Sequence, residues 1–134
     1  MSESLDWLLA NFVQQVASAR SAVVASTDGV RMHAHDLDTA SADRLAAVAT
    51  GLFSLGAGIG TDTVRGVRQV LVEHEDVVLC VMAAGPGAVL AVLAEPDADL
   101  GVIGYEMGQL VKRVPTHLTS PARTAVTAAP GHAR

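Results

Sequence analysis

The uncharged run Val77–Ala94 constrains the fold more than any other feature of this sequence. Its eighteen residues reach the lower length limit of a transmembrane helix, but Gly85-Pro86-Gly87 divides it in two. Each half is a short apolar stretch bounded by turn residues, which is typical of a buried strand. We therefore predict two neighbouring buried strands, over 77–84 and 88–94, instead of a membrane span.

Hydrophobic periodicity and turn residues predict the remaining elements. Asp28-Gly29 supplies the positive φ angles of a two-residue hairpin turn. The predicted elements are a helix over 4–18, strands over 21–26 and 30–35, a second helix capped by Ser41 and apolar from Leu45 to Thr61, a strand over 67–74, the two strands above, and a third helix that opens at Pro96-Asp97 and stops at Pro115.

The order α-β-β-α-β-β-β-α predicts an α+β fold, a five-stranded antiparallel sheet with helices on both faces. One domain spans residues 1–114. Residues 115–134 are rich in Thr, Ala, Pro, Arg and His without periodicity, so we expect a disordered C-terminal tail.

Composition narrows the class of function. Half of the 134 residues are apolar but only 17% are charged, fewer than in a typical soluble domain. So few charged residues leave apolar surface exposed on a monomer, which indicates that a protein partner covers part of it. A net charge of -5 without basic runs excludes nucleic acid. The acidic start of the sequence does not resemble a signal peptide, so we expect a cytoplasmic protein.

The second helix is the strongest candidate for that partner surface. Two apolar stripes run along it, and one sheet can cover only one of them. We expect the small-residue stripe to meet the same helix of a second copy, and the third strand to pair across the same two-fold axis. The predicted dimer interface is Ala46, Ala49, Phe53, Gly56, Gly60, Val70 and Val72.

No pattern indicates catalysis, a cofactor or a metal strongly enough to be predicted. Gly56-Ala-Gly58-Ile-Gly60 lacks the dinucleotide-binding spacing, and Ser54 lies in a helix where a nucleophile elbow needs a turn after a strand. His33 and His35, with Asp36, Asp38 and His74 nearby, are the best metal candidates, although solvated rim residues explain them better. Cys80 is most simply a buried apolar residue.

Several segments, in this order, resemble the roadblock/dynein light chain family over residues 4–114. They are Ala22-Val-Val-Ala-Ser-Thr-Asp28-Gly29-Val30, the Ala- and Gly-rich second helix, Gln69-Val-Leu-Val-Glu73, Ala88-Val-Leu-Ala-Val-Leu93 and Asp97-Ala-Asp-Leu-Gly101. The resemblance implies a profilin-like, non-catalytic domain that dimerises through a ten-stranded sheet and paired second helices. It also implies a role in bacterial signalling as an activating or scaffolding companion of a small Ras-like GTPase, with a sensor-kinase-like protein as a further partner.

Arg65 and Arg68 lie nearest the strands and are the candidate contacts to such a GTPase. Two rival functions remain open at this point. A small-molecule sensory domain of PAS or profilin-like shape predicts a closed pocket with convergent polar groups. An enzyme ranks third, because no nucleophile, base and orienting group occur at workable spacing.

Overall fold

The computed structural model describes residues 4–60 and 66–113. It confirms the α+β class and the element order. The elements are α1 (Leu5–Gln15), β1 (Ala19–Ser26), β2 (Arg31–His35), α2 (Thr39–Ala57), β3 (Gln69–Glu73), β4 (Val78–Ala83), β5 (Ala88–Ala94) and α3 (Leu100–Val111). No described helix is both long and apolar enough to cross a membrane.

The five strands form one antiparallel sheet in the order β2-β1-β5-β4-β3. The uncharged run Val77–Ala94 supplies β4 and β5, and most of their residues are buried. β5 lies in the centre, because it pairs with β1 on one side and β4 on the other. The edges of the sheet are therefore β2 and β3.

Helices cover both faces of the sheet. α1 and α3 lie over one face, where alternate strand residues such as Val24, Cys80 and Leu90 join Leu8 and Ile103 in the larger core cluster. α2 is the described helix on the other face, over the intervening strand residues, which form a second cluster. Since successive strand residues point to opposite faces, one set of apolar strands supplies both cores.

Four local predictions were wrong in detail. α3 begins at Leu100, where the Asp99 carboxylate caps it, so the helix does not open at Pro96-Asp97. α2 is capped by Asp38, whose carboxylate accepts the Ser41 backbone N–H at 2.9 Å, so the helix begins before the predicted cap Ser41. α1 ends at Gln15, three residues before the predicted end.

The β1–β2 connection is not the expected two-residue turn. Gly29 has a φ of 94°, but Asp28 does not have a positive φ, so the mirror-image turn cannot form. Instead, the Gly29 N–H donates to the Ser26 carbonyl at 2.9 Å, and the strand register shifts between Val24 and Ala25. A longer turn with a glycine bulge closes this hairpin.

Candidate interaction surface

The small-residue stripe of α2 packs against the protein's own sheet. Ala46 and Ala49 have no exposed surface and lie in the core cluster with Val89 and Ala91. Short side chains let a helix approach a sheet closely, and the alanines of α2 allow this close contact with the protein's own sheet. Ala46 and Ala49 are therefore unavailable to a partner, which corrects their assignment to a dimer interface.

Phe53 and Gly56 also face inward. Phe53 is half-buried and packs against the same core cluster. A Cβ on Gly56 would come within 3.1 Å of the Val67 side chain, so the missing side chain lets the segment before β3 approach α2. Gly60 is exposed just beyond the end of α2. Only Gly60 of these three is fully open to a second molecule.

The other stripe of α2, which carries the large aliphatic residues, is divided. Leu45 is buried and Leu52 half-buried in the same core cluster, whereas the remaining members point to solvent. Val48 is 45% exposed, Leu55 75% and Ile59, just past the helix, 88%. Arg44 precedes Val48 by one helical turn on the same face and is exposed as well. The surface of Val48, Leu55 and Ile59, which we call the α2 apolar stripe, is not covered by any part of the chain that the structure describes.

The β3 edge lies beside this stripe. Among the described residues, β3 pairs only with β4. Val70 is half-buried beneath α2, and Val72 on the same face is 37% exposed. β3 carries neither proline nor a basic residue at the edge, so its outer backbone groups are open to another strand.

The opposite edge is protected. β2 contains Arg31, His33 and His35, and its register with β1 is interrupted by the bulge. Charged side chains and bulges are the usual means by which edge strands avoid pairing with other chains. The structure therefore offers one receptive edge, β3, and it is the edge next to the α2 apolar stripe.

Two surface clefts separate α2 from the β3 side of the sheet. One, of about 560 Å³, lies beside the N-terminal half of α2 and is lined by Leu45, Val48, Val72, Leu79 and six further residues. The other, of about 500 Å³, is lined by Leu52, Gly56, Ile59, Val70 and six further residues near its C-terminal end. Both are mainly apolar, so this side of the molecule has unfilled volume as well as exposed aliphatic surface.

The two predicted arginine contacts have different outcomes. Arg68 is exposed, precedes β3 and lines the 500 Å³ cleft. Arg65 lies outside the described residues. Arg68 is thus at the margin of the apolar surface, where a charged partner group can reach it.

The candidates for chemistry are dispersed or already engaged. His33 Nδ1 lies 2.7 Å from Asp6 Oδ1, which ties β2 to α1. Within residues 4–60 and 66–113, no three potential ligands are close enough together to hold a metal ion. Burial raises the pKa of Cys80 to about 11, so its thiol is a poor nucleophile at neutral pH.

The sequence contained a signal for the missed stripe. Arg44, Val48, Leu55 and Ile59 recur at helical spacing, and a charged residue at the head of an apolar stripe marks a solvent-facing side. The alanine stripe, by contrast, extends back to Ala42 without meeting a charge.

Comparisons with known proteins agree with this fold. The Roadblock/LC7 domain model matches residues 5–94. A crystal structure of a Roadblock/LC7 domain from Streptomyces avermitilis is 49% identical, with a TM-score of 0.80 over 87% of this chain and 98% of that one. A second such domain from that organism is 41% identical, with a TM-score of 0.70 over 84% and 99%. No match was found among curated proteins.

A more distant structure shows the same fold. MglB from Myxococcus xanthus is 13% identical, with a TM-score of 0.72 over 89% of this chain and 100% of that one. The fold is therefore shared far beyond the range in which sequences remain similar.

Proposed function

The chain belongs to the Roadblock/LC7 family, and from this premise we propose that it is a homodimeric, non-catalytic regulator or scaffold that binds a small Ras-like GTPase. The family is generally one of non-enzymatic regulatory and scaffold domains. The observation that carries the proposal is the α2 apolar stripe beside the receptive β3 edge. Such a contiguous apolar surface is typical of a protein-binding site.

A second copy fits this surface better than an unrelated strand would. If two β3 strands pair in an antiparallel manner across a two-fold axis, the two sheets become one sheet of ten strands. The same axis then brings the two α2 helices side by side on one face. Both unpartnered features of the single chain are covered by one interface.

The clefts provide space for the exposed side chains of the α2 apolar stripe of a second copy. In antiparallel α2 helices, the C-terminal half of one helix faces the N-terminal half of the other. Leu55 and Ile59 of one copy then lie opposite the 560 Å³ cleft of the other copy, which Val48 and Val72 line. We infer that these knobs fill that cleft, because packing at stable interfaces matches that of protein interiors.

The GTPase part of the proposal is supported by the resemblance noted in the sequence. We propose that the partner binds at the surface around Arg68, which is exposed and lies at the margin of the 500 Å³ cleft. This surface is a place for a partner whose switch segments change with the bound nucleotide. We propose that the chain regulates or positions such a GTPase without supplying a catalytic centre of its own.

The test uses the Ras-like GTPase encoded nearest to the gene of this chain, loaded with GDP or with a non-hydrolysable GTP analogue. We expect a complex on size-exclusion chromatography in one nucleotide state and much weaker binding in the other. Arg68→Ala should weaken that complex without altering the mass of the dimer. Absence of binding in both states, or equal binding in both, would contradict the proposal.

The core gives little support to the small-molecule sensor. Among the described residues, the buried polar side chains are Ser21 and Thr50. The Thr50 hydroxyl already donates to the Ala46 carbonyl at 2.8 Å, within its own helix. A sensory pocket needs polar groups that converge on a ligand, and the described core does not supply them.

A further inference from the structure

A continuous groove runs between α1 and α3, on the sheet face opposite α2. It consists of a cleft of about 590 Å³ and a smaller one of about 180 Å³. Both clefts are lined by Gln15, Val16 and Glu106, so they join end to end. The groove is therefore an extended channel along the helix pair and not an isolated hollow.

The two ends of the groove are fixed by the antiparallel course of the helices. Leu8 and Arg113 line one end, where α1 begins and α3 has just ended. Ser18 and Asp97 line the other end, where α1 has ended and α3 has not begun. The chain leaves α3 at the mouth of the groove, where the Arg113 guanidinium lies 6.0 Å from the centre of the Trp7 ring.

The chemistry of the groove changes along its length. Near the exit of α3 the apolar residues Leu8, Phe12 and Leu110 line it together with polar ones. The far end is lined by Asp97 and Asp99, Glu106 lies where the two clefts join, and the residues described in the larger cleft include no basic side chain. A peptide segment that matches the groove has an apolar side chain at the end near the exit of α3 and a cationic side chain about one helix length further along.

The chain's own C-terminal segment matches this order. Residues 114–134 contain Arg123, Arg134 and two histidines but no acidic residue. In the sequence, Leu118 lies between Arg113, which lines the near end of the groove, and Arg123. We propose that residues 114–134 bind in the α1–α3 groove, with Arg123 paired to Asp97 and Glu106.

The lengths are compatible with this arrangement. The twelve residues of α3 span about 18 Å at the usual helical rise. Arg123 lies ten residues beyond Arg113, a stretch that covers up to about 33 Å when extended. The guanidinium of Arg123 can therefore return along the whole helix and reach the acidic end.

Two of the three carboxylates are suited to this pairing. Asp99 is engaged as the N-cap of α3, where it accepts the backbone N–H groups of Gly101 and Val102. Among the described residues, the carboxylates of Asp97 and Glu106 do not cap α3. Variants at Asp97 and Glu106 can thus test the pairing without removing the helix cap.

The groove and the proposed dimer surface lie on opposite faces of the sheet. The C-terminal segment can therefore bind whether or not α2 meets a second copy or a GTPase. A failure of either proposal leaves the other intact, because each has its own variants and its own measurement.

The experiment is paramagnetic NMR on the full chain. A nitroxide on Ala125→Cys reports where the segment lies, and Cys80 is too buried to be labelled. We expect selective broadening of the amides of residues 15–18 and 97–106, measured against the same sample after reduction of the nitroxide. Arg123→Glu should lower the bound fraction about fivefold or more, the upper range for an exposed ion pair.

A charge swap provides the specific control. Asp97→Lys alone should also weaken the broadening strongly, and Asp97→Lys combined with Arg123→Glu should restore it. Absence of broadening in the parent chain would overturn the proposal, as would broadening that persists in both single variants. Broadening seen only when labelled and isotope-enriched chains are mixed would show that another copy supplies the segment, and would overturn binding within one chain.

Discussion

Replacing Leu55 by glutamate perturbs the proposed dimer and leaves the single chain almost untouched. Burying a whole leucine is worth about 1.5–3 kcal/mol, and 75% of this side chain is exposed in one copy. The interface therefore gains about 1–2 kcal/mol per copy, or about 2–4 kcal/mol per dimer, from Leu55 alone. Placing two carboxylates there costs at least about 1 kcal/mol each. The dissociation constant should rise about a thousandfold or more.

Sedimentation velocity over a dilution series measures this change directly. The matched control is Ser54→Glu, because Ser54 is exposed and lies about 100° away around the helix, on the flank near Thr27. We expect Ser54→Glu to sediment like the parent chain. Leu55→Glu should be a monomer whose urea midpoint equals that of the parent diluted below its dissociation constant. Equal dissociation constants for the parent and Leu55→Glu would refute the reasoning, and so would equal losses in both variants.

Three further predictions concern the single chain. Ala49→Arg should lower the free energy of unfolding by about 3 kcal/mol or more, because it overfills the core and buries an unpaired charge, whereas Ala47→Arg on the exposed side should change it by less than about 0.5 kcal/mol. Equal urea midpoints would show that α2 does not pack as described. Hydrogen bonds from Ser41 lower the pKa of Asp38 below its ordinary value of 3.8. The ionised Asp38 carboxylate therefore stabilises the fold fully at pH values above 3.8, and this stabilisation is lost as the pH falls through the lower pKa of the folded state. Urea titrations at decreasing pH should therefore show a smaller decline for Asp38→Asn, and an unchanged decline would contradict the capping role. Cys80, whose pKa is raised to about 11, should resist a thiol reagent at neutral pH until urea unfolds the chain, and rapid reaction in the native state would contradict its burial.

The fold could be predicted from the sequence because the local signals agree with the tertiary structure. The Gly85-Pro86-Gly87 turn and its uncharged flanks specify β4 and β5 without reference to any other element. Helix periodicity and capping residues then place α1, α2 and α3 to within a few residues. A fold can be predicted from its sequence when secondary-structure propensity, hydrophobic pattern and tertiary packing all favour the same structure.

The interaction surface was harder to predict, since periodicity reveals that a helix has two apolar stripes but not which one meets the sheet. The sequence-based assignment gave the sheet to the stripe of Leu45, Val48, Leu52, Leu55 and Ile59, and left the small-residue stripe to a second copy. In the structure, Ala46 and Ala49 meet the sheet together with Leu45, whereas Val48 and Leu55 are exposed. Which stripe meets the sheet depends on how closely the helix can approach it, and this is a tertiary property. The exposed Arg44, one turn before Val48, is the sequence feature that indicates the solvent-facing side.

The turn and cap errors have the same origin at a smaller scale. Asp28-Gly29 is compatible with more than one hairpin, and the pairing of β1 with β2 selects the bulged form. Asp38 and Ser41 are both good N-caps, and the one chosen depends on where the preceding strand ends. Neither choice is encoded within a window of a few residues.

Amide hydrogen exchange of β3 at several protein concentrations tests the proposed dimer most directly. If two β3 strands pair, the amides within Gln69–Glu73 that point outward in a single chain become hydrogen-bonded in the dimer. Their protection should rise with protein concentration, while amides of the charged edge strand Arg31–His35 should exchange at a constant rate. Protection of Gln69–Glu73 that is independent of concentration, or a concentration effect confined to Arg31–His35, would contradict the account.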